Sequence, residues 1–529
     1  MKSRNTVLFA LLIILSVTTF FINRGALPTD IMESRNIVTA REMVSDGNWL
    51  VPTMNGELRL EKPPLPTWVA GAVEMIAPGS LSAQRFAPAV MGLIWTLFLF
   101  LTARYLTRRD DFAVNTVLVF ITLYNVVLMG RSATWDIYCH AFMMGAIYFL
   151  MRGFYDDDHG FYEEDRGFYD SGLVHQHKWR WFLLAGLFMG LSFESKGPVS
   201  LYALLLPFIL VVICLRRPHM KGKWGPLIVA ILITLVLGGW WYVYLLTYHS
   251  EAVEYVIHKE SSAWSGHNVR PWYYYWRFFL EGGLWAPFIL LSLAVPFWQK
   301  RLEQPRKYFF VVLWMLLQLV LLSCMPEKKM RYLLPMAPTI AMSVAFVLMW
   351  LETESRHKNL TKGFVWTYAA LFFIAELFFL QPVGKMFGNP EAHSINAVSR
   401  ISTLKHVPFY HNAKEPLRIE LVYEANRKIL PMNLNDSIEV MSSLPIAVVS
   451  QKPIAQEMPA SILKHLDAVK IGYYDDNKHP KKDRHYSSAF LNYVTLLKKK
   501  MDTTPKKAIN PPVTGKKGRS ILHSAYPRK

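Results

Sequence analysis

Long apolar runs broken by short polar connections fill the first 380 residues. Apolar cores lie near 7–22, 85–103, 112–129, 137–151, 181–193, 198–215, 226–246, 278–297, 308–323, 333–350 and 363–380. A bilayer span needs about 20 mostly apolar residues, and only a helix satisfies its own backbone in lipid. The pattern therefore predicts an all-α polytopic membrane protein with about eleven spanning helices. Residues 64–78 are apolar but begin with Pro64 and Pro66, which predicts a short re-entrant or interfacial pair of helices. Lys2 and Arg4 precede the first run as in a signal peptide, but no small-residue cleavage site follows it, so an uncleaved first span is expected. Beyond 380 the chain turns polar. Short runs at Ile419–Tyr423, Ile446–Val449 and Val469–Tyr474 read as strands of a small α/β domain. The expected division is a spanning domain over 1–380, a soluble domain over 381–497 and a basic flexible tail over 498–529.

Composition sharpens this picture. Hydrophobic residues make up 52% of the 529 and charged residues 18%, below the quarter or so usual in soluble domains. Three cysteines, Cys139, Cys214 and Cys324, exclude a disulfide scaffold. The formal net charge of +19, from 58 Lys and Arg against 39 Asp and Glu, suggests nucleic acid only until it is located. Arg104, Arg108 and Arg109, then Arg216, Arg217, Lys221 and Lys223, then Lys300, Arg301, Arg306 and Lys307, then Arg356, Lys358 and Lys362 form short basic loops on one side. That is the cytoplasmic signature. The acidic connection 152–177 is assigned to the same side, because acids count little in topology and Arg152, Lys178 and Arg180 flank it. The tail after Lys498 is basic and suits anionic headgroups.

The outward connections carry more chemistry. The first, Asn23 to Pro63, holds Asp30, Glu33, Arg35, Arg41, Glu42 and then Arg59, Glu61 and Lys62; residues 31–45 predict an amphipathic surface helix begun near Asp30. The second has Arg131 and Asp136, either a structural pair or a functional acid at the membrane mouth. The third reads Glu194, Ser195, Lys196, Gly197, Pro198. The fourth, 247–277, holds His249, His258, His267 and the aromatic run Trp272, Tyr273, Tyr274, Tyr275, Trp276, for anchoring or for stacking on a sugar. The fifth carries Glu327, Lys328, Lys329, Arg331 and Tyr332, with cations where the positive-inside rule disfavours them, which an anionic ligand explains. The ligand spacing of a metal centre is absent, and a divalent cation stays open. Fixed cations beside carboxylates suit group transfer from a lipid phosphate. A transporter is the competing class, disfavoured because these charges cluster in outer loops rather than mid-span.

These same residues resemble the integral-membrane glycosyltransferases of the GT-C type, within them most the bacterial aminoarabinose transferase of lipid A, kin of the protein O-mannosyltransferases. The carriers are Glu33-Ser34-Arg35-Asn36, Thr39 to Met43, Gly47 to Pro52, Glu61-Lys62-Pro63-Pro64, Arg131 to Asp136, Lys196-Gly197-Pro198, Pro271 with Tyr273–Tyr275, and Lys329 with Arg331 to Pro335. The first-loop signature has adjacent Asp and Glu in the family; here Glu33 aligns with the Glu, Met32 stands at the Asp position, and Asp30 lies three residues before Glu33, about one turn if that stretch is helical.

The resemblance implies a GT-C core of about 11–13 spans with periplasmic juxtamembrane helices, in the bacterial inner membrane. It implies an undecaprenyl-phosphate sugar donor and an envelope acceptor such as lipid A; a glycan or a protein hydroxyl are the alternatives, and nucleic acid is not a partner. Asp30 or Glu33 is expected to activate the acceptor, and Asp136 to orient the donor sugar or assist. Arg35, Lys62, Lys196 and Arg331 are expected to hold the donor phosphate, with Tyr274 and Tyr332 lining the site and Glu61, Arg131, His267 and Lys329 contributing to binding.

Overall fold

The structure is a computed structural model, and it describes residues 2–155, 178–266, 268–354, 358–386 and 388–500. The acidic connection from residue 156 to 177, His267, Arg356 and the basic tail from residue 501 lie outside the described residues.

The helical part runs α1 (Lys2–Phe21), α2 (Ile31–Asp46), α3 (Leu65–Ile76), α4 (Leu81–Gln84), α5 (Phe86–Thr107), α6 (Asp110–Phe120), α7 (Tyr124–Gly130), α8 (Asp136–Tyr155) and α9 (Lys178–Lys196). It continues through α10 (Leu206–Leu215), α11 (Trp224–Tyr248), α12 (Ser250–Gly266), α13 (Ala286–Ser292), α14 (Val295–Gln299), α15 (Pro305–Cys324), α16 (Ala337–Thr353), α17 (Lys358–Ile374) and α18 (Leu380–Met386). Six helical stretches among the described residues are long and apolar enough to cross a membrane, or seven if the pair α6 and α7 is one span. The expected eleven are therefore not all regular spans. The run at 112–129 bends by 72° between α6 and α7. The run at 278–297 is split between a 3₁₀ segment (Trp272–Trp285), interrupted at Gly283, and the short α13 and α14. Hydropathy registers apolar content, whereas continuity depends on where the backbone breaks. Residues 64–78 form one apolar helix, α3, in place of the expected pair.

The bundle closes tightly where side chains vanish. A Cβ at Gly186 of α9 would stand 2.6 Å from the Ala230 carbonyl oxygen of α11, so the two backbones touch there. Thr234 adds a hydrogen bond to the Gly186 carbonyl at 3.2 Å. Backbone cannot yield as a side chain does. Gly186→Ala is expected to cost about 1–3 kcal/mol, read as a lower midpoint in thermal unfolding of the detergent-solubilised protein.

Helix α2 begins as expected: Asp30 caps it, its carboxylate accepting from the Glu33 amide at 2.7 Å. It is not a surface helix, however. Glu33, Ser34, Asn36, Thr39 and Glu42 are all buried. The polar face that the sequence assigns to water is instead turned onto protein groups. Glu42 receives the Thr53 hydroxyl at 2.8 Å and the Gly56 amide at 3.1 Å. It thereby fastens a hairpin of β1 (Thr53–Met54) and β2 (Glu57–Leu58), whose Asn55-Gly56 turn has positive φ at both residues. Asn55 in turn exchanges two hydrogen bonds with the Ile429 backbone, at 2.7 and 2.8 Å, joining the hairpin to the C-terminal sheet.

That sheet has the order β4-β3-β5-β7-β6, from β3 (Phe409–Asn412), β4 (Ile429–Met432), β5 (Ile446–Ser450), β6 (Leu466–Asp475) and β7 (Leu491–Lys499). Strand β3 pairs in parallel with β4 and β5, and β7 runs antiparallel to β5 and β6. The runs at 446–449 and 469–474 are strands as expected. The run at 419–423 is helix α19 (Ile419–Ala425). Its buried residues Leu421 and Val422 lie one turn before buried Ala425, a helical face that a five-residue window hides. Helix α19 lies against α2, which places the sheet at the same end of the bundle as the first loop.

Candidate active site

Asp136 opens α8 and is buried, 6% exposed. Its partner is Lys196, the last residue of α9, whose ammonium forms an ion pair with the Asp136 carboxylate. Lys196 owes this position to Gly197, which turns the chain with φ +70° before Pro198. The Tyr332 ring lies beneath three cations: Lys196 at 5.9 Å, Lys329 at 5.7 Å and Arg331 at 5.8 Å from its centroid. The Tyr332 hydroxyl donates to Glu327 at 3.1 Å, and Lys329 pairs with Glu327 at 2.5 Å. Arg331 keeps its Nε buried with no hydrogen-bond partner among the described residues. The cluster thus holds three cations against two carboxylates, with one guanidinium N–H unspent.

The loop before Asp136 is held from α2. Glu33, 1% exposed, accepts from Arg85 Nε at 2.7 Å and Nη2 at 2.6 Å, a two-pronged contact. Its Oε1 also accepts the Ala133 amide at 2.9 Å, while Asn36 donates to the Ala133 carbonyl at 2.8 Å. Arg85 further donates to the carbonyls of Arg24 and Leu27 at 2.6 and 2.8 Å. Glu33 and Asn36 therefore clamp the backbone three residues ahead of Asp136.

The structure brings together Asp136, Lys196, Lys329, Arg331 and Tyr332. Arg131 and Asp136 do not pair; Arg131 donates to the Thr19 carbonyl at 2.6 Å and faces Glu376 at 3.2 Å. Glu61 pairs with Arg59 at 3.6 Å and Lys259 at 3.4 Å. The Arg59 guanidinium covers the Trp135 ring at 5.3 Å, which ties the Glu61-Lys62 turn to the residue before Asp136. Lys62 is half-buried. Asp30 is exposed at the helix cap, and Arg35 is half-buried with its Nε lacking a hydrogen-bond partner. Tyr274 packs against Tyr275 at 5.4 Å and under Arg270 at 6.0 Å, and the Tyr275 hydroxyl donates to the Lys329 carbonyl at 3.1 Å.

Sequence reasoning missed Arg85, Glu376 and Glu327 as partners, and it gave Glu194 no place among the site residues. Glu194 is 5% exposed and neither carboxylate oxygen has a hydrogen-bond partner among the described residues. The available signal was position: an Arg at the head of an apolar helix and a Glu inside one are costly at membrane depth unless used. Among the described residues no group of three or more His, Cys, Asp or Glu is placed to hold a metal ion.

Residues 8–253 match the family model for dolichyl-phosphate-mannose-protein mannosyltransferase. The undecaprenyl phosphate-alpha-4-amino-4-deoxy-L-arabinose arabinosyl transferase of Shewanella sediminis is 28% identical over 369 residues, covering 66% of this chain and 62% of its own. The protein of the same description from Photorhabdus laumondii is 23% identical over 358 residues, covering 67% and 61%. The chain thus spans just over six-tenths of the length of these relatives. The crystal structure of ArnT from Cupriavidus metallidurans bound to undecaprenyl phosphate shares the fold with a TM-score of 0.66 at 15% identity, over 94% of this chain and 98% of that one. The archaeal oligosaccharyltransferase AglB from Archaeoglobus fulgidus superposes with a TM-score of 0.50 at 12% identity, over 84% and 69%.

Proposed function

We propose a function from one premise, that the chain is a multi-pass membrane glycosyltransferase of the GT-C fold related to the 4-amino-4-deoxy-L-arabinose transferases. It moves a sugar from an undecaprenyl-phosphate carrier to a lipid A-like acceptor at the periplasmic face of the inner membrane. The observation that carries this reading is the convergence of Lys196, Lys329 and Arg331 on Tyr332 beside Asp136. Charge develops on the leaving phosphate as the sugar–oxygen bond breaks, and prearranged cations lower that barrier. The unspent Arg331 N–H and the Lys196 ammonium are the donors for the phosphate oxygens. As the phosphate draws on Lys196, Asp136 is freed to take the proton of the acceptor oxygen. That oxygen forms the new bond to the sugar carbon, and the polyprenyl phosphate leaves with the old bonding pair. Asp136 is therefore the proposed base. Exposed Asp30, which caps α2, and Glu33, already engaged by Arg85 and Ala133, are proposed to position the loop. Lys62, three residues after Arg59, is proposed as a further phosphate ligand.

The test is transfer in detergent: purified full chain, radiolabelled undecaprenyl-phosphate aminoarabinose, and lipid A. Labelled lipid A is expected, with no transfer from the free sugar. Vesicle uptake without transfer would favour the transporter class. A protein hydroxyl as acceptor is the second reading, favoured by the mannosyltransferase family match; label appearing on a Ser/Thr peptide and not on lipid A would select it.

A further inference from the structure

A cavity of about 430 Å³ opens where the first loop, the end of α18 and the C-terminal sheet meet. Ligand pockets begin at roughly 300 Å³. Its wall includes Thr29, Tyr423, Glu424, Asp476 and Lys478, and none of the residues of the Asp136 cluster.

The wall is unfinished as a protein structure. The Thr29 side chain is 4% exposed, yet its hydroxyl has no hydrogen-bond partner among the described residues. Asp476 accepts the Ile395 amide at 3.0 Å. Burial, with the Glu424 carboxyl adding to it, pushes the Asp476 carboxyl up to about 6. Burial likewise raises Glu424 and lowers Lys478. Lys478 spends one N–H on the Thr29 carbonyl, leaving the ammonium two more. Two half-buried carboxyls, an ammonium, an unpaired hydroxyl and a tyrosine ring in one cavity match a ligand with many hydroxyls and an apolar face. A buried hydroxyl left like that of Thr29 costs free energy until a ligand pairs it.

We propose that this cavity binds one sugar unit of the acceptor, with Glu424 and Asp476 accepting its hydroxyls, Lys478 and Thr29 bonding its oxygens, and Tyr423 meeting its apolar face. The identification as acceptor rests on the transferase reading; the sugar site itself does not. The cavity communicates with the transfer centre through α2. Lys478 holds the Thr29 carbonyl, Asp30 caps the helix, and Glu33 one turn later holds Ala133 ahead of Asp136.

The experiment is saturation-transfer NMR of the full chain in detergent, titrated with methyl β-glucopyranoside and its 2-amino analogue. Saturation transfer to the ring protons is expected in the wild type. Glu424→Gln and Thr29→Val, each nearly isosteric, should weaken binding by about tenfold and threefold, with thermal midpoints confirming that both variants fold. No saturation transfer in the wild type, or equal affinity in wild type and both variants, overturns the site. Donor turnover is scored separately. A chain that binds the glycosides but cleaves no donor retains the sugar site and loses the transferase reading. One that transfers sugar but does not bind the glycosides has the reverse outcome. With an active chain, Glu424→Gln should raise KM for the acceptor and leave KM for the donor unchanged.

Discussion

Lys196→Met is expected to lower the transfer rate by about a thousandfold and to destabilise the protein at the same time. The rate falls because the cation proposed to face the leaving phosphate is lost, an effect usually worth 10²–10³. Stability falls because Asp136, 6% exposed, is left as a buried carboxylate without its ammonium. Breaking one side of a buried pair costs about 3–5 kcal/mol, whereas removing both sides can be nearly neutral. The Asp136→Asn, Lys196→Met double variant should therefore recover most of the thermal midpoint and none of the turnover. Initial rates and melting curves on the two single variants and the double separate the roles. Recovery of turnover in the double variant would mean that the pair is architecture and that the reacting groups lie elsewhere.

Arg85→Met carries the second large effect, and it falls on folding. Arg85 is 2% exposed and joins Glu33 to the carbonyls of Arg24 and Leu27. Its loss leaves a buried carboxylate and two unsatisfied carbonyls, about 3–5 kcal/mol from the charge alone. The expected result is a sharply lower thermal midpoint or failure to accumulate in the membrane. Adding Glu33→Met should restore part of the midpoint, because the stranded carboxylate is gone. It should not restore full activity, since the Ala133 amide then loses its acceptor and the Asp136 loop its clamp. If Glu33 were instead the base, Glu33→Gln would abolish turnover beyond what its lowered thermal midpoint explains, and Asp136→Asn would keep it.

Both expectations depend on contacts between segments far apart in the chain, and this marks what was legible beforehand. The apolar runs follow from lipid being unable to hydrogen-bond a backbone, so a multi-helix membrane protein could be read from hydropathy. The cap at Asp30 and the Asn55-Gly56 turn are local and could be read as well. Pairing was not legible. Arg131 and Asp136 look like partners at five residues' separation, yet Arg131 faces Glu376 and Asp136 holds Lys196. Glu33 looks like an available acid, yet Arg85 occupies both of its oxygens.

By itself, the sequence determined which residues could be buried in lipid, which turns the backbone could make and which charged residues had to gather at one end of the bundle. Tertiary structure alone decided which charge meets which. Ion pairs and clamps depend on where helix ends converge in three dimensions, and in a low-dielectric bundle each buried charge takes the partner within reach, however distant in sequence.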